Sequence, residues 1–202
     1  MSPRPNVQAE RRQQILQAAM KRFALAGFHK ATMDEIAAEL PFSKGLLYYY
    51  FETKRDIFLA LLEDWMSTSI STWESIQAPD ESATTQIYQC LEFGVQLIKG
   101  SADLTRIELE FYGELGRDSE VTKAFKRVFC TFRASIKEIL ELGIRTEEFK
   151  SHSTDALAAV LVGTFEGLAI QATVDSNSFD WDEITETLCA MVLQGISMST
   201  KE

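Results

Sequence analysis

Histidine is scarce in this chain, two among 202 residues, and cysteine is nearly as rare at three. Neither His29 nor His152 stands at a metal-ligand spacing from a cysteine or a carboxylate. Cys90, Cys130 and Cys189 are odd in number, far apart and without a CxxC pair. These shortages argue against a zinc module and a disulfide framework, and they read the three thiols as small buried hydrophobes in a reducing compartment. No metal and no cofactor are expected. A nucleophile elbow and a glycine-rich phosphate loop are also missing, so the familiar enzyme signatures are unrepresented. Long apolar runs are lacking too. The most apolar stretch, residues 156–174, is broken by Glu166 and Gln171 and is short for a membrane span, and the opening MSPRPNVQAERR lacks the apolar core of a signal peptide. A cytoplasmic protein without a membrane partner is expected.

Cations are in the minority, 20 Lys and Arg against 30 Asp and Glu, but the deficit is uneven. Residues 1–55 hold nine cations and five carboxylates, so eleven and twenty-five fall in the remainder. A basic N-terminal module and an acidic body must meet different partners, and the basic module carries the electrostatic footprint of phosphate binding. The length suits one medium domain or two small ones, and the boundary is placed between residues 1–55 and 56–202.

Pro3 and Pro5 mark a loose leader. From about Val7 a helical pattern sets in, with Ile15, Ala19 and Phe23 four residues apart and Leu16, Met20 and Ala24 beside them, ending at Gly27. Arg11 and Arg12 lie near its positive end, where an outside anion would relieve them; solvation by Glu10 and the glutamines is the plainer alternative. Thr32 and Glu35 stand in capping-box spacing, with Ala31 and Ile36 as a staple, and this second helix stops at Leu40 because Pro41 disfavours helical geometry before it. Ser43 is the N-cap of a third helix, with Phe42 and Leu47 as a staple and Leu46, Leu47 and Phe51 facing inward. Its other face carries Lys44, Gly45, Tyr48 and Tyr49, followed by Tyr50 and Lys54: a surface for an anion, or a solvated tyrosine-rich turn. Two short capped helices joined by a tight turn form a helix-turn-helix.

The run RQQILQAAMKRFALAGFHKATMDEIAAELPFSKGLLYYYFETKRDIF contains I-L-x-A-A, F-x-x-x-G-F, T-x-x-x-I-A and S-K-G-x-L-Y-x-Y-F. Over residues 11–58 it resembles the DNA-binding domain of the tetracycline-repressor (TetR) family of bacterial regulators. The resemblance implies an all-helical homodimer whose second domain binds a small molecule. It also implies that Thr32 meets a phosphate, that Ser43, Lys44, Gly45, Leu46 and Tyr48 contact bases and backbone, and that Tyr50 and Lys54 contact phosphates; Tyr49 is left between contact and packing. Phosphate contacts position such a helix, whereas side chains entering the groove read sequence. One departure is Pro41, which stands where the family has glycine and which cannot adopt a left-handed turn conformation.

In the second module Thr53 and Asp56 open a helix that runs through Ile57, Phe58, Leu61, Leu62, Trp65 and Met66 to Trp73 and Ile76, before Pro79. At ~1.5 Å per residue it is a rod of about 30 Å that joins the modules and is expected to carry the switch. Further helices are expected over residues 84–98, 104–115 (ending at Gly116), 121–142 (ending at Gly143), 154–174 (opened by Ser153) and 181–198 (opened by Asp180 and Glu183, with Phe179 and Ile184 as a staple). No strand alternation appears, so the fold class is all-α: a three-helix helix-turn-helix domain followed by a helical ligand-binding and dimerisation domain.

Phe125, Phe129 and Phe132 share one face of the long helix, and Trp65, Phe93, Phe111, Tyr112 and Phe165 are available to meet them, lining a ligand cavity or packing as plain core. Glu166, with Glu108, Glu110 and Glu114, would give such a cavity a negative wall and favour cationic or hydroxylated ligands; with the aromatic lining, the expected effector is apolar or cationic. Ala159, Gly163 and Gly167 form a stripe of small residues flanked by Leu157, Val160, Leu161, Thr164 and Leu168, and the last helix offers Leu188, Met191, Val192 and Ile196. These faces fit a four-helix interface across a two-fold axis, or burial within one chain. The leading reading is a dimeric, ligand-responsive repressor of palindromic operator DNA. The alternatives are a TetR-like DNA organiser without an effector and a helical ligand-binding or enzymatic protein.

Overall fold

A computed structural model of the chain describes residues 5–77, 80–175 and 179–198, so Pro3 and Pro79 lie outside the described residues. The architecture is all-helical: α1 (Pro5–Ala26), α2 (Met33–Ala38), α3 (Lys44–Tyr50), α4 (Lys54–Ile76), α5 (Ala83–Gly100), α6 (Ala102–Phe111), a 3-10 turn (Tyr112–Glu114), α7 (Ser119–Arg145), α8 (Thr154–Val174) and α9 (Trp181–Ile196). No strand occurs among the described residues, only an isolated antiparallel bridge between Phe149 and Ser197.

Local chemistry accounts for most boundaries. Pro5 opens α1 instead of belonging to a loose leader, because its fixed φ suits the first helical position and its missing N–H would have had no partner there. Gly27, at φ +81°, ends that helix. At α4 the Thr53 N–H and hydroxyl both donate to Asp56 Oδ2 at 2.9 Å, and the Asp56 N–H returns a bond to Thr53 Oγ1 at 3.2 Å. α2 ends at Ala38, two residues before the expected Leu40. α7 runs past Gly143 to Arg145, so this glycine does not stop the helix. It leaves room for the Phe149 ring, which a Cβ at Gly143 would overlap. The chain reverses at Glu147, at φ 60°, a residue without the usual turn signature.

The chain divides into two compact units, residues 1–67 with 103–124 and residues 68–102 with 125–202. In the first, Phe58 and Phe111 stack with centroids 3.6 Å apart and planes 6° off parallel, and Phe28 meets Phe111 edge-on at 4.5 Å. α6 therefore supplies an aromatic keystone to the same unit as the helix-turn-helix. In the second, Trp73, Ile87, Leu91, Ile136, Ile139, Leu140, Phe149, Leu161 and Val192 form a buried core. Glu148 caps α5 from across this unit, accepting from the Ala83 and Thr84 amides at 2.9 Å each. Cys90 and Cys189 are buried, and burial pushes the Cys90 thiol up to about 12; Cys130, expected inside with them, is exposed.

Candidate nucleic-acid interface

Ile36 on α2 and Leu47 on α3 are both fully buried, as are Ile15, Leu16, Ala19 and Phe23 of α1, and α2 packs against both α1 and α3. Between α2 and α3 no residue takes a positive φ, so the turn containing Pro41 is closed without the left-handed residue a glycine would supply. This arrangement turns one face of α3 outward. Tyr48 and Tyr49 are 43% and 72% exposed, Ser43, Lys44 and Gly45 are exposed, and Leu46 is half-buried. Ser43 occupies the N-cap position without a side-chain cap bond, so its hydroxyl is not spent on the helix end. The Lys44 ammonium lies 5.7 Å from the centroid of the Tyr48 ring.

The resemblance assigns three residues, Thr32, Tyr50 and Lys54, to phosphate contacts, and each has a defined setting within the chain. The Thr32 hydroxyl accepts from the Glu35 N–H at 3.2 Å and donates to Glu35 Oε2 at 3.0 Å, completing the capping box. Tyr50 is half-buried, and its hydroxyl oxygen is buried without a hydrogen-bond partner. Lys54 Nζ donates to the carbonyl oxygens of Phe28, His29 and Ala31 at 2.6, 2.8 and 2.9 Å and sits 4.7 Å from the Phe28 ring centroid. An ammonium has three N–H donors, so Lys54 fastens the turn after α1 through three carbonyls, one for each donor. Arg12 is likewise engaged, 3.7 Å from Asp64 Oδ1.

Charge partners missing from the sequence reading complete the surface. Asp34, in the first turn of α2, meets Lys44 Nζ at 2.6 Å. The Asp34 hydrogen bond holds the Lys44 ammonium above the usual lysine range. Arg22 reaches Glu35 at 2.8 Å and Glu39 at 3.7 Å, joining α1 to α2. The Thr32 backbone and side-chain hydrogen bonds, with Arg22, hold the Glu35 carboxyl below the ordinary carboxylate range. Glu110, expected on a cavity wall, accepts from the Phe28 and His29 amides at 2.9 and 3.3 Å. These bonds span 82 and 81 positions, so no local spacing advertises them.

Comparison with known proteins decides the family. Residues 15–61 match the bacterial regulatory proteins of the tetR family, and residues 83–196 match the C-terminal domain of BetI-type transcriptional repressors. The chain belongs to the TetR family of transcriptional regulators. An uncharacterised regulator of Bacillus subtilis, YdgC, is 29% identical over 79% of both chains. Among solved structures, a Saccharomonospora viridis protein in complex with choline superposes with a TM-score of 0.81 at 21% identity, covering 94% of this chain and 99% of that one. FadR of Bacillus subtilis, in complex with stearoyl-CoA, gives 0.76 at 21% identity, covering 91% and 98%.

In this TetR protein the aromatic residues singled out for an effector cavity do not share one unit. Trp65, Phe111 and Tyr112 belong to the first, and Phe111 is buried in its aromatic stack. Phe93, Phe125, Phe129, Phe132, Phe165 and Glu166 belong to the second. There Phe93, Phe129, Phe132 and Phe165 pack half-buried on the core, and the Phe165 ring covers Gly94. Glu114 is exposed.

The nine residues assigned to a dimer interface do come together in the TetR body. Leu157, Val160, Leu161, Thr164, Leu168, Leu188, Met191, Val192 and Ile196 all line one open groove of about 880 Å³ along α8 and α9. Leu161, Leu188, Val192 and Ile196 form its buried floor, whereas Val160 and Met191 stand 62% and 69% exposed on its walls.

Proposed function

We propose that the protein is a cytoplasmic homodimeric repressor that binds a palindromic operator and is released by a small-molecule effector. Reading falls to residues 1–55, through Ser43, Lys44, Gly45, Leu46, Tyr48 and Tyr49, with neighbouring phosphates positioning the helix. Residues 56–202 take the effector and pair the two copies. The observation that carries this reading is the outward face of α3, where hydroxyls, a cation and an exposed side-chain-free position at Gly45 lie together on a buried scaffold. Such a face suits entry into the major groove, and pairing two copies sets half-sites about one helical turn, ~34 Å, apart.

Pairing is assigned to α8 and α9. Exposed Val160 and Met191 over a buried apolar floor make a face that burial against an identical copy would stabilise. The effector is apolar or cationic: the half-buried rings of Phe93, Phe129, Phe132 and Phe165 suit an acyl chain, and aromatic faces also attract quaternary ammonium groups. Stearoyl-CoA and choline in the solved relatives represent these two classes. A tenfold loss of operator affinity requires about 1.4 kcal/mol of coupling between effector and DNA sites.

The test begins with selection of a duplex from a randomised pool, followed by binding titrations at fixed salt. Tyr48→Ala and Lys44→Gln are expected to weaken binding at least tenfold while sedimentation still shows dimers. Val160→Glu with Met191→Glu should yield monomers with reduced affinity. Wild-type protein that enriches no sequence would end the reading.

A further inference from the structure

Lys44 is the one lysine of α3, and Asp34 Oδ1 holds its Nζ at 2.6 Å. The pair is not buried: the side chains are 55% and 66% exposed. An exposed ion pair contributes little to stability, and α2 already has its cap in Thr32 and Glu35. To folding Asp34 adds only the modest favour a carboxylate gains in the first turn of a helix. What it does is place a carboxylate on a surface that meets a polyanion.

A carboxylate only accepts hydrogen bonds. The sugar–phosphate backbone of DNA offers acceptors and negative charge but no donor, so Asp34 set against it is repelled and keeps hold of Lys44. The major-groove edges of cytosine and adenine do present amino donors, and guanine presents the O6 and N7 acceptors a lysine seeks. We propose that Asp34 is a specificity-determining residue: it withholds Lys44 from phosphates at arbitrary sequence and gives it up only where base edges supply a donor for its own carboxylate. The inference rests on α3 being the DNA-reading helix.

The experiment uses the full-length protein and two fluorescent duplexes, one selected from a randomised pool and one of scrambled sequence, titrated across a range of salt. Freed from Asp34, Lys44 adds one phosphate interaction. Asp34→Asn should then bind the scrambled duplex about fivefold more tightly near 0.15 M salt and steepen the salt slope by about one. Affinity for the selected duplex should not rise with it, so the ratio between the two falls. The extra slope should vanish in Asp34→Asn/Lys44→Gln, and Asp34→Glu should keep most of the discrimination. Unchanged scrambled binding and slope in Asp34→Asn, while wild type still prefers its selected duplex, overturns the role of Asp34 alone. A wild-type protein with no preference between the duplexes overturns the DNA-reading assignment and this inference with it.

Discussion

Arg55 holds Asp118 through two arms of its guanidinium, Nε to Oδ2 at 2.9 Å and Nη2 to Oδ1 at 2.5 Å, while Nη1 reaches Glu120 Oε2 at 2.9 Å. Asp118 Oδ1 also accepts from the Glu120 and Val121 amides at 2.9 and 3.1 Å. One carboxylate thus starts α7 and fastens it to the start of α4. Asp118→Asn retains an oxygen for the amides but loses the charge that the guanidinium grips. Both Arg55→Gln and Asp118→Asn should lower the melting temperature, and the double variant should lower it by less than the sum, since the residues share one interaction. Strict additivity in calorimetry would show that the pair is not coupled.

Acid should unfold the protein through three carboxylates. Arg55 holds the Asp118 carboxyl below the ordinary range, and the Thr32 bonds do the same for Glu35. Burial would raise the Glu148 carboxyl, but the Thr84 and Ala83 amides together with the Thr84 and Thr146 side chains outweigh it, and the net direction is down. A depressed folded-state pKa gives stability that is present above the unfolded value, about 4 to 4.5, and lost as pH falls through the lower folded value. The melting temperature should therefore decline as pH drops below about 4.5. Glu148→Gln should show a shallower decline over that window from a lower starting point; a profile parallel to wild type would remove Glu148 from the account.

Two helical glycines make room for rings. A Cβ at Gly94 would lie 2.5 Å from Phe165 Cζ, and one at Gly143 would overlap Phe149 Cδ2. Alanine is the better helix former, so isolated helices would gain from either change. In the folded chain overpacking should win: Gly94→Ala and Gly143→Ala are each expected to cost about 1–3 kcal/mol in urea titrations. A neutral or stabilising outcome would mean that the rings move aside freely.

Lys54 offers a sharper contrast. Were its ammonium bound to a phosphate, Lys54→Met would reduce the salt slope of DNA binding by about one. Because Nζ is spent on three carbonyls, the slope should stay as it is while the melting temperature falls, the cost of leaving those acceptors without their charged donor. A reduced slope with unchanged melting would restore the phosphate role.

What could be read in advance was local. Thr32 with Glu35 and Thr53 with Asp56 are three residues apart, and the structure forms both sets of bonds. The apolar faces of α8 and α9 declared themselves by period, and all nine residues named from them line one groove. The failures arise from packing and pairing that local sequence spacing does not encode. Gly143 carries a stop signal that tertiary packing against Phe149 overrides. Glu110, Phe111 and Asp118 find partners more than 50 positions away, at Phe28, Phe58 and Arg55. Lys44 was legible as a cation on an outward face, but its pairing with Asp34 was not, because nine residues and a turn intervene.

The unit that contains α3 is built from two separate pieces of chain, residues 1–67 and 103–124. Phe111 stacks on Phe58 and Glu110 tethers the Phe28 turn, so the later piece is structural substance of the head. Recombination between relatives, in nature or at the bench, therefore cannot exchange operator preference cleanly by one crossover near residue 55. A graft that keeps its donor's α6 and the opening turn of α7 should fold more reliably than one that leaves them behind.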